Sequence, residues 1–397
     1  DFVYKCRFWM DYVKESLYDE LTRAKIYPKI AYYYFRETMG GDTAMFLADL
    51  EQALRICDEA MELLRNTGRE YRGKILTDMI KRLAESGKMQ ESVKYEMTLQ
   101  ENMELERVLK ELYAAYDVPA YMQDCTYLYR QRWVFAIGDV LRIRRNMLGM
   151  TQKQLCEGIC SVKSLQRAEN RQHNMQREPL EKILRRLGLS GEIQKTAFVA
   201  DNKEVLQLMA EMALCCNNRE TEKTRVLLER LKAEVCLEIP ENRQYVMEME
   251  AALDLMEERI TAQQFVARQD EALHCTLNTD RWYEMDDVYL TETEMTCIRQ
   301  RLKGLGDIEK RRQIEFLIHF FEEYEKRDLL PEYIAVYEYA MVLVTSELGN
   351  MGAYQLATEL DRKVLRTVLK CRRVYSVSDF LYDIWWNGKE QKLVNGR

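Results

Sequence analysis

Apolar residues recur three and four positions apart along most of this chain, the spacing that places side chains on one face of an α-helix. One such face, between 46 and 66, carries Leu47, Leu50, Leu54, Cys57, Met61 and Leu64. Another, near the N-terminus, is a stripe of Tyr4, Phe8, Tyr12 and Leu17. Because strong helix formers dominate and the 397 residues include only 16 Gly and 5 Pro, the pattern predicts an all-α protein.

Short polar joints, such as Thr67-Gly68 and Ser86-Gly87, divide these helices into pairs. Two antiparallel helices every 35 to 40 residues or so form the unit of a helical solenoid, in which stacking buries faces that no unit buries alone. The clearest repeat signal runs from Leu348 to Tyr354, with Ala357 beyond it, and resembles the junction of a tetratricopeptide repeat. We therefore predict tetratricopeptide-like (TPR-like) solenoid segments.

The segment from Gly149 to Asn170, GMTQKQLCEGICSVKSLQRAEN, fits one supersecondary unit, the helix-turn-helix. Thr151 and Gln154 form a capping box that predicts a helix start, and Gly158 predicts the end of that helix. Ser161 is placed to cap the next helix. The residues expected between the two helices are Leu155, Ile159, Leu165 and Ala168. Those expected to point outward are Val162, Lys163, Gln166 and Arg167.

These elements suggest four parts in the chain. They are an N-terminal helical-repeat domain at 1–118, a hinge helix at 119–136, a helix-turn-helix domain at 137–190 and a C-terminal TPR-like domain at 191–397. The hinge mixes aromatic residues with Arg130 and Arg132, a composition that can also stack on single-stranded nucleic acid. Packing between domains is the simpler interpretation of tyrosines at helical spacing.

Several classes of function find no support in the sequence. No run of 18 apolar residues could span a membrane, and the first residues lack a signal-peptide pattern. The 11 cysteines include no CxxC pair and are typical of reduced thiols in a cytoplasmic protein, while His173, His274 and His319 fit no metal-binding pattern. A phosphate-cradling glycine loop and a nucleophile elbow are also missing, so we predict no enzyme activity, no metal and no cofactor.

Charge is distributed unevenly along the chain. The whole sequence has a formal net charge of -7, whereas residues 137–190 hold eleven Lys and Arg against five Asp and Glu, a net charge of +6. A basic module on an acidic body is the electrostatic pattern expected of a local phosphate-contact surface. A solvated basic helix face would give the same count.

The phrase LGMTQKQLCEGICSVKSLQRAEN resembles the Cro/C1-type (XRE-type) helix-turn-helix family. Together with the TPR-like helices downstream, it is similar to the Rgg, PlcR, NprR, PrgX and Rap group of peptide-responsive regulators. The resemblance implies phosphate contacts from Gln152 and Asn170 and base contacts from the outward face, since Lys and Arg donate to guanine and Val packs on the thymine methyl. The full DNA-binding set is Gln152, Lys153, Ser161, Val162, Lys163, Ser164, Gln166, Arg167, Asn170 and Arg171.

The same resemblance implies a cytoplasmic transcription regulator that binds double-stranded DNA as a homodimer, on half-sites about one helical turn apart. A signalling peptide of the quorum-sensing kind would control it from the groove of the C-terminal repeats. Asn217, Asn218 and Asn350 are candidate peptide-binding residues by residue type alone, because amide side chains can pair with a peptide backbone.

Two features of the sequence depart from the family. Arg171, Met175 and Ala168 replace its usual glycine, proline and larger aliphatic residue, and the module lies in mid-chain rather than at the N-terminus. Either an extra helical domain precedes the module, or a leader, possibly with another helix-turn-helix, is missing before residue 1. In the latter case this copy would be degenerate, and the chain would be a helical-repeat scaffold or inhibitor that binds another protein.

Overall fold

The computed structural model describes residues 2–16, 20–39, 46–66, 73–74, 76–78, 81, 93–119, 137–189, 203–277, 279, 282–285, 287–327, 329–330 and 333–395. Within these ranges every regular element is a helix and no β-strand forms, which confirms the all-α prediction. None of the helices in them is both long enough and apolar enough to cross a lipid bilayer.

The chain forms two compact units, the first comprising 1–129 and 358–389 and the second comprising 130–357 and 390–397. The first unit begins with α1 (Phe2–Ser16), α2 (Glu20–Met39), α3 (Phe46–Asn66) and α4 (Val93–Ala115). In it α2 packs on both α1 and α3, and their shared core includes the fully buried Tyr34, Phe35 and Leu64.

The aromatic stripe of α1 faces solvent. Its residues Tyr4, Phe8 and Tyr12 are exposed, and Leu17 lies outside the described residues. The buried face of α1 carries Cys6, Met10 and Val13, which also follow helical spacing. Because α1 is apolar on two faces, spacing alone could not tell which of them packs against α2.

The second unit begins with four short helices, α5 (Ile137–Met147), α6 (Gln152–Cys156), α7 (Val162–Glu169) and α8 (Arg177–Arg186). Both α5 and α6 pack on α7, and α8 packs on α6. Gly149 ends α5 and Gly188 ends α8, each in the left-handed conformation, with φ of 63° and 68°. In both turns the next amide donates to the carbonyl five residues earlier, the bond that defines a Schellman motif.

Paired helices fill the rest of the chain. They are α9 (Lys203–Asn217), α10 (Thr221–Glu234), α11 (Pro240–Met256), α12 (Ala262–His274), α13 (Glu292–Arg301), α14 (Asp307–Lys326), α15 (Ile334–Asn350), α16 (Tyr354–Lys370) and α17 (Val377–Asn395). The predicted capping box of Thr291 and Glu294 opens α13, and the predicted repeat junction separates α15 from α16, with Ala357 fully buried.

The helices from α9 to α15 pack as a solenoid does. Each helix from α9 to α12 contacts the next one, and the alternate helices α11, α13 and α15 also contact one another in sequence. Ion pairs reinforce the stack, since Asp254 of α11 accepts from Arg225 of α10 at 2.8 Å and also from Arg268 of α12. Residues 120–136, most of the predicted hinge helix, lie outside the described residues, so the four-part division of the chain stays a prediction.

Candidate nucleic-acid interface

Local hydrogen bonds start both helices of the helix-turn-helix where the sequence predicts. Thr151 Oγ1 accepts from the backbone N–H of Gln154 at 3.2 Å, and the Gln154 side-chain oxygen accepts from the Thr151 N–H at 2.8 Å. Ser161 Oγ accepts from the Ser164 N–H at 3.1 Å and so caps α7. The intervening turn contains Gly158 with φ of 71°, although α6 already ends at Cys156.

Apolar side chains pack one face of α7 against the rest of the module. Leu155, Leu165 and Ala168 are buried as predicted, and Ile159 is half-buried. Gly138 of α5 lies so close to α7 that a Cβ atom there would be 2.1 Å from the Ala168 carbonyl oxygen. Since only glycine allows this approach, α5 and α7 meet backbone to backbone.

A buried carboxylate on the same face of α7 links the three helices. Glu169 of α7 accepts from Arg145 of α5 at 2.7 and 3.1 Å and from the side-chain amide of Gln152 of α6 at 2.7 Å. Only 3% of the Glu169 side chain is exposed, so these charge-assisted bonds are shielded from water. The Gln152 amide, which the sequence assigns to a phosphate contact, is therefore already engaged inside the module.

The remaining predicted DNA-contacting residues lie on or next to the outward face of α7. Val162, Lys163, Gln166 and Arg167 are all exposed. Ser161 and Lys153 are exposed beside them, Ser164 is half-buried, and Asn170 is exposed at the C-cap of α7. Among the described residues, neither Lys163 nor Arg167 forms an ion pair. The two residues are four positions from each other and share one helix face.

Arg171 adopts the conformation that glycine usually supplies. Its φ is 59°, and the following amide, of Gln172, donates to the Arg167 carbonyl at 2.8 Å, which closes a Schellman motif after α7. The side chain remains largely exposed and forms an ion pair with Asp139 of α5. The turn after α7 thus keeps the shape that glycine would give it, with some backbone strain.

The basic module, residues 137–190, exposes fewer cations at its surface than its charge count implies. Arg144 is fully buried, Arg145 is bound to Glu169, and Arg186 donates to the carbonyls of Leu155 at 3.0 Å and Glu157 at 2.6 Å. Arg144 and Arg145 brace the module from inside, whereas Arg186 is exposed although its guanidinium is bonded to backbone carbonyls. The charge count of the segment therefore overstates its phosphate-contact surface, because Arg144 is fully buried and Arg145 is bound to Glu169.

Arg144 joins the helix-turn-helix to the repeats of the second unit. Its guanidinium donates to both Glu294 carboxylate oxygens, at 2.8 and 3.0 Å, and to the carbonyls of Leu187, Thr276 and Tyr289 at 3.1 to 3.3 Å. The Thr276 hydroxyl also donates to Glu294, at 2.7 Å. A Cβ atom on Gly188 would lie 2.2 Å from the Thr276 carbonyl oxygen, so here too backbones touch. We call this set of contacts the Arg144 junction.

A second group of charges lies on the alternate helices α11, α13 and α15 and in the turn that follows α13. Glu248 is buried, and its burial raises the pKa of the carboxyl group although the charges of Arg299 and Lys303 oppose that shift. Burial likewise lowers the pKa of Arg299 and of Lys303. The Arg299 guanidinium stacks over the Tyr339 ring, 5.7 Å from its centre. We call Glu248, Arg299, Lys303 and Tyr339 the charged layer.

The charged layer was not predicted from the sequence, and the predicted peptide-binding residues lie elsewhere. Asn218 lies in the turn after α9, and Asn350 is the last residue of α15, where its side-chain amide donates to Glu347. Asn217 is the last residue of α9, and its side chain lies outside the described residues. Peptide binding by these three residues stays a prediction.

Comparison with known proteins gives one structural similarity. No protein-family model matches this chain, and no curated protein matches it. The chain is similar to the crystal structure of Bacillus thuringiensis PlcR in complex with the peptide PapR7 and DNA. The superposition has a TM-score of 0.40 and 13% sequence identity, and it covers 65% of this chain and 89% of that chain.

Proposed function

We propose that this chain is a transcription regulator that reads double-stranded DNA with α7. The observation that carries the proposal is the division of α7 into a fixed face and a free face. Leu165, Ala168 and Glu169 lock one side into the module, while Lys163 and Arg167 extend from the other side with no ion-pair partner among the described residues. A short, rigidly held helix with a polar outward face suits insertion into a major groove.

The residue types on the free face suit the edges of base pairs. Lys163 and Arg167 can donate to guanine O6 and N7, Gln166 can pair with adenine, and Val162 can pack on a thymine methyl group. Lys153, Ser161, Ser164, Asn170 and Arg171 surround this face and would contact phosphates. Gln152 would do so through its backbone N–H at the start of α6, because Glu169 accepts from its side chain.

Selection from a random duplex library at low salt would supply a target, and a band-shift titration would then measure affinity. We expect Lys163→Ala and Arg167→Ala each to weaken specific binding by about 1–3 kcal/mol. The control is Lys182→Ala, which removes an exposed cation of α8 that pairs with Glu178 on the same helix. Two outcomes contradict the proposal. The wild-type chain shifts no duplex at low salt, or all three variants lose the same amount of affinity.

The proposed regulator acts in the cytoplasm as a homodimer on two half-sites about one helical turn apart. Sedimentation of the chain with a selected duplex measures the stoichiometry directly. Two chains per duplex support the homodimer, and one chain per duplex excludes it.

A short signalling peptide is the proposed effector, and the charged layer supports its placement on α11, α13 and α15. Arg299 and Lys303 form no ion pair with any described residue. Burial disfavours the charged form of Arg299, so a carboxylate of a ligand would stabilise it, and the exposed Lys303 would add a second positive charge. A library of heptapeptides with free carboxyl termini would be screened by thermal shift. Binding that survives Arg299→Ala, but is lost in Arg327→Ala at the C-cap of α14, would contradict this placement.

A protein-binding scaffold with a helix-turn-helix that does not bind DNA is the competing function, and the engagement of Arg144 and Arg145 inside the module favours it. Capture of partners by the tagged chain after nuclease treatment separates the two functions. A stoichiometric protein partner, together with no duplex binding, would favour the scaffold.

A further inference from the structure

The turn between α6 and α7 places two cysteine sulfurs in contact. Cys160 Sγ lies 3.7 Å from Cys156 Sγ, and the Cys160 N–H donates to the Cys156 carbonyl at 3.1 Å. All ten cysteines in the described ranges are free thiols. The four-residue spacing is not a CxxC motif, so this thiol pair was not predicted from the sequence.

The two thiols differ in access to solvent. Cys156 is buried, with 3% of its surface exposed, and its Sγ also donates to the Ser161 carbonyl at 3.7 Å. Cys160 is half-buried at the surface of the turn. A small oxidant would reach Cys160 first, and Cys156 lies directly behind it as the partner for a second step.

The backbone geometry of the turn allows a covalent bond between these sulfurs. A disulfide needs Cα atoms about 4.4–6.8 Å apart, and the hydrogen bond from the Cys160 N–H to the Cys156 carbonyl closes an α-turn that holds the two residues close together. The sulfurs must approach to about 2.05 Å, a movement that side-chain rotation and a small turn adjustment can supply. Gly158 lies in the middle of the turn, and a Cβ atom there would meet nothing within 4 Å, so the turn has room to adjust.

We propose that Cys156 and Cys160 are a redox-sensitive thiol pair that hydrogen peroxide closes to a disulfide. The Cys160 thiol loses its proton, the thiolate attacks one peroxide oxygen, the O–O bond breaks, and the displaced hydroxide takes up that proton, so the products are a Cys160 sulfenic acid and one water. The Cys156 sulfur then attacks the Cys160 sulfur, the S–O bond breaks, and a second water leaves with the Cys156 proton. Two thiols lose two electrons in total, and one peroxide is reduced to two waters.

Closure of this pair acts on the start of α7. In the reduced chain the Cys156 thiol donates to the carbonyl of Ser161, the residue that caps α7. Disulfide formation removes that proton and draws Cys156 Sγ toward Cys160, so the contact with the cap residue is lost. This step rests on the proposed function, because a displaced α7 lowers DNA affinity only if α7 reads DNA.

Oxidation of the full-length chain by equimolar hydrogen peroxide, followed by alkylation and peptide mapping, tests the pair. We expect the peptide that holds both cysteines to lose the mass of two hydrogens and to escape alkylation in the wild type and in the control variant Cys275→Ser. In Cys160→Ser this change should be absent. Full alkylation of both thiols in the oxidised wild type, or a disulfide to any other cysteine, overturns the proposal.

Band shifts with a selected duplex test the regulatory step separately. Oxidation should reduce affinity at least tenfold, dithiothreitol should restore it, and Cys160→Ser should not respond. A disulfide that leaves affinity unchanged refutes the switch. A reduced chain that binds no duplex refutes the proposed function, while the mass measurement still decides whether the thiol pair closes.

Discussion

The Arg144 junction predicts a strong energetic coupling between Arg144 and Glu294. Both side chains are fully buried, and the guanidinium donates to both carboxylate oxygens, so either partner alone would be an uncompensated charge. Removal of one partner from such a buried pair costs about 3–5 kcal/mol. We expect Arg144→Met and Glu294→Gln each to destabilise the contact between α5 and the repeats by that amount.

The double variant should cost less than the sum of the two single variants. Once Arg144 is gone, Glu294 still accepts from the Thr276 hydroxyl and the Thr291 N–H but has lost its cation, so its replacement by glutamine removes an uncompensated buried charge. Coupling energies between contacting residues reach about 0.5–3 kcal/mol, and the direct, shielded geometry here favours the upper half of that range. Native-state hydrogen exchange of the α5 amides is the suitable assay, because a chain with two compact units need not unfold in one step.

Arg142→Met is the matched control, since Arg142 lies two residues away on the same helix. It is 45% exposed and approaches Asp139 and Asp287 only at 3.8 Å, so its loss should cost less than about 1 kcal/mol. If Arg144→Met costs no more than Arg142→Met, or if the two junction variants add within about 0.5 kcal/mol, the junction is not a coupled ion pair.

Three further predictions concern single positions. Gly138→Ala should lower the melting temperature through a backbone clash of about 1–3 kcal/mol, whereas the control Gly388→Ala, with nothing within 4 Å of its Cβ, should be neutral or stabilising; equal shifts would contradict the close approach. Arg171→Gly should raise stability in urea by about 1 kcal/mol, because relief of about 1–2 kcal/mol of left-handed strain exceeds the loss of one exposed ion pair; a destabilised variant would refute this. Burial raises the pKa of Asp254, but hydrogen bonds from two arginines outweigh burial and hold this pKa below its usual value. The ionised carboxylate therefore stabilises the folded chain at any pH above the ordinary carboxyl pKa, and this stabilisation is lost as the pH falls through the pKa of the folded state. Asp254→Asn should therefore cost about 1–3 kcal/mol in urea at pH 7 and much less near pH 2, and an equal cost at both pH values would contradict the assignment.

The features that the sequence predicted correctly are local ones. Thr151, Ser161 and Thr291 cap helices through atoms two or three residues away, so their roles can be recognised in a short window. The buried positions Leu155 and Leu165 follow from the amphipathic pattern of two helices of known spacing. These signals were enough to define the helix-turn-helix and the helical repeats.

The features that the sequence missed depend on distant partners. Arg144 bonds to residues up to 150 positions away, and a count of charges treats it like any exposed arginine. One local signal was present, because Arg144 lies on the same face of α5 as the buried Val140, Leu141 and Met147. Arginine at a core position of an amphipathic helix predicts a buried partner but cannot name it.

Arg171 shows a second kind of limit. The sequence marked it as an unusual replacement for glycine and left the turn after α7 in doubt. The structure shows that the backbone keeps the left-handed shape, so the hydrogen bonds of the motif outweigh the preference of the side chain. Whether the hydrogen bonds of the motif or the backbone strain of the side chain prevails depends on the packing around the turn. A window of a few residues does not specify that packing.

The Arg144 junction also sets a mechanical limit on how a pair of such chains could scan DNA. A reading domain on a flexible tether can swivel to meet half-sites at several separations. Here a buried ion pair and a backbone contact at Gly188 remove that freedom, so the repeats fix the direction in which α7 points. If α7 reads DNA as proposed, an added half-turn of duplex, about five base pairs between two half-sites, would rotate the second site to the far side of the double helix, away from a helix held in this direction.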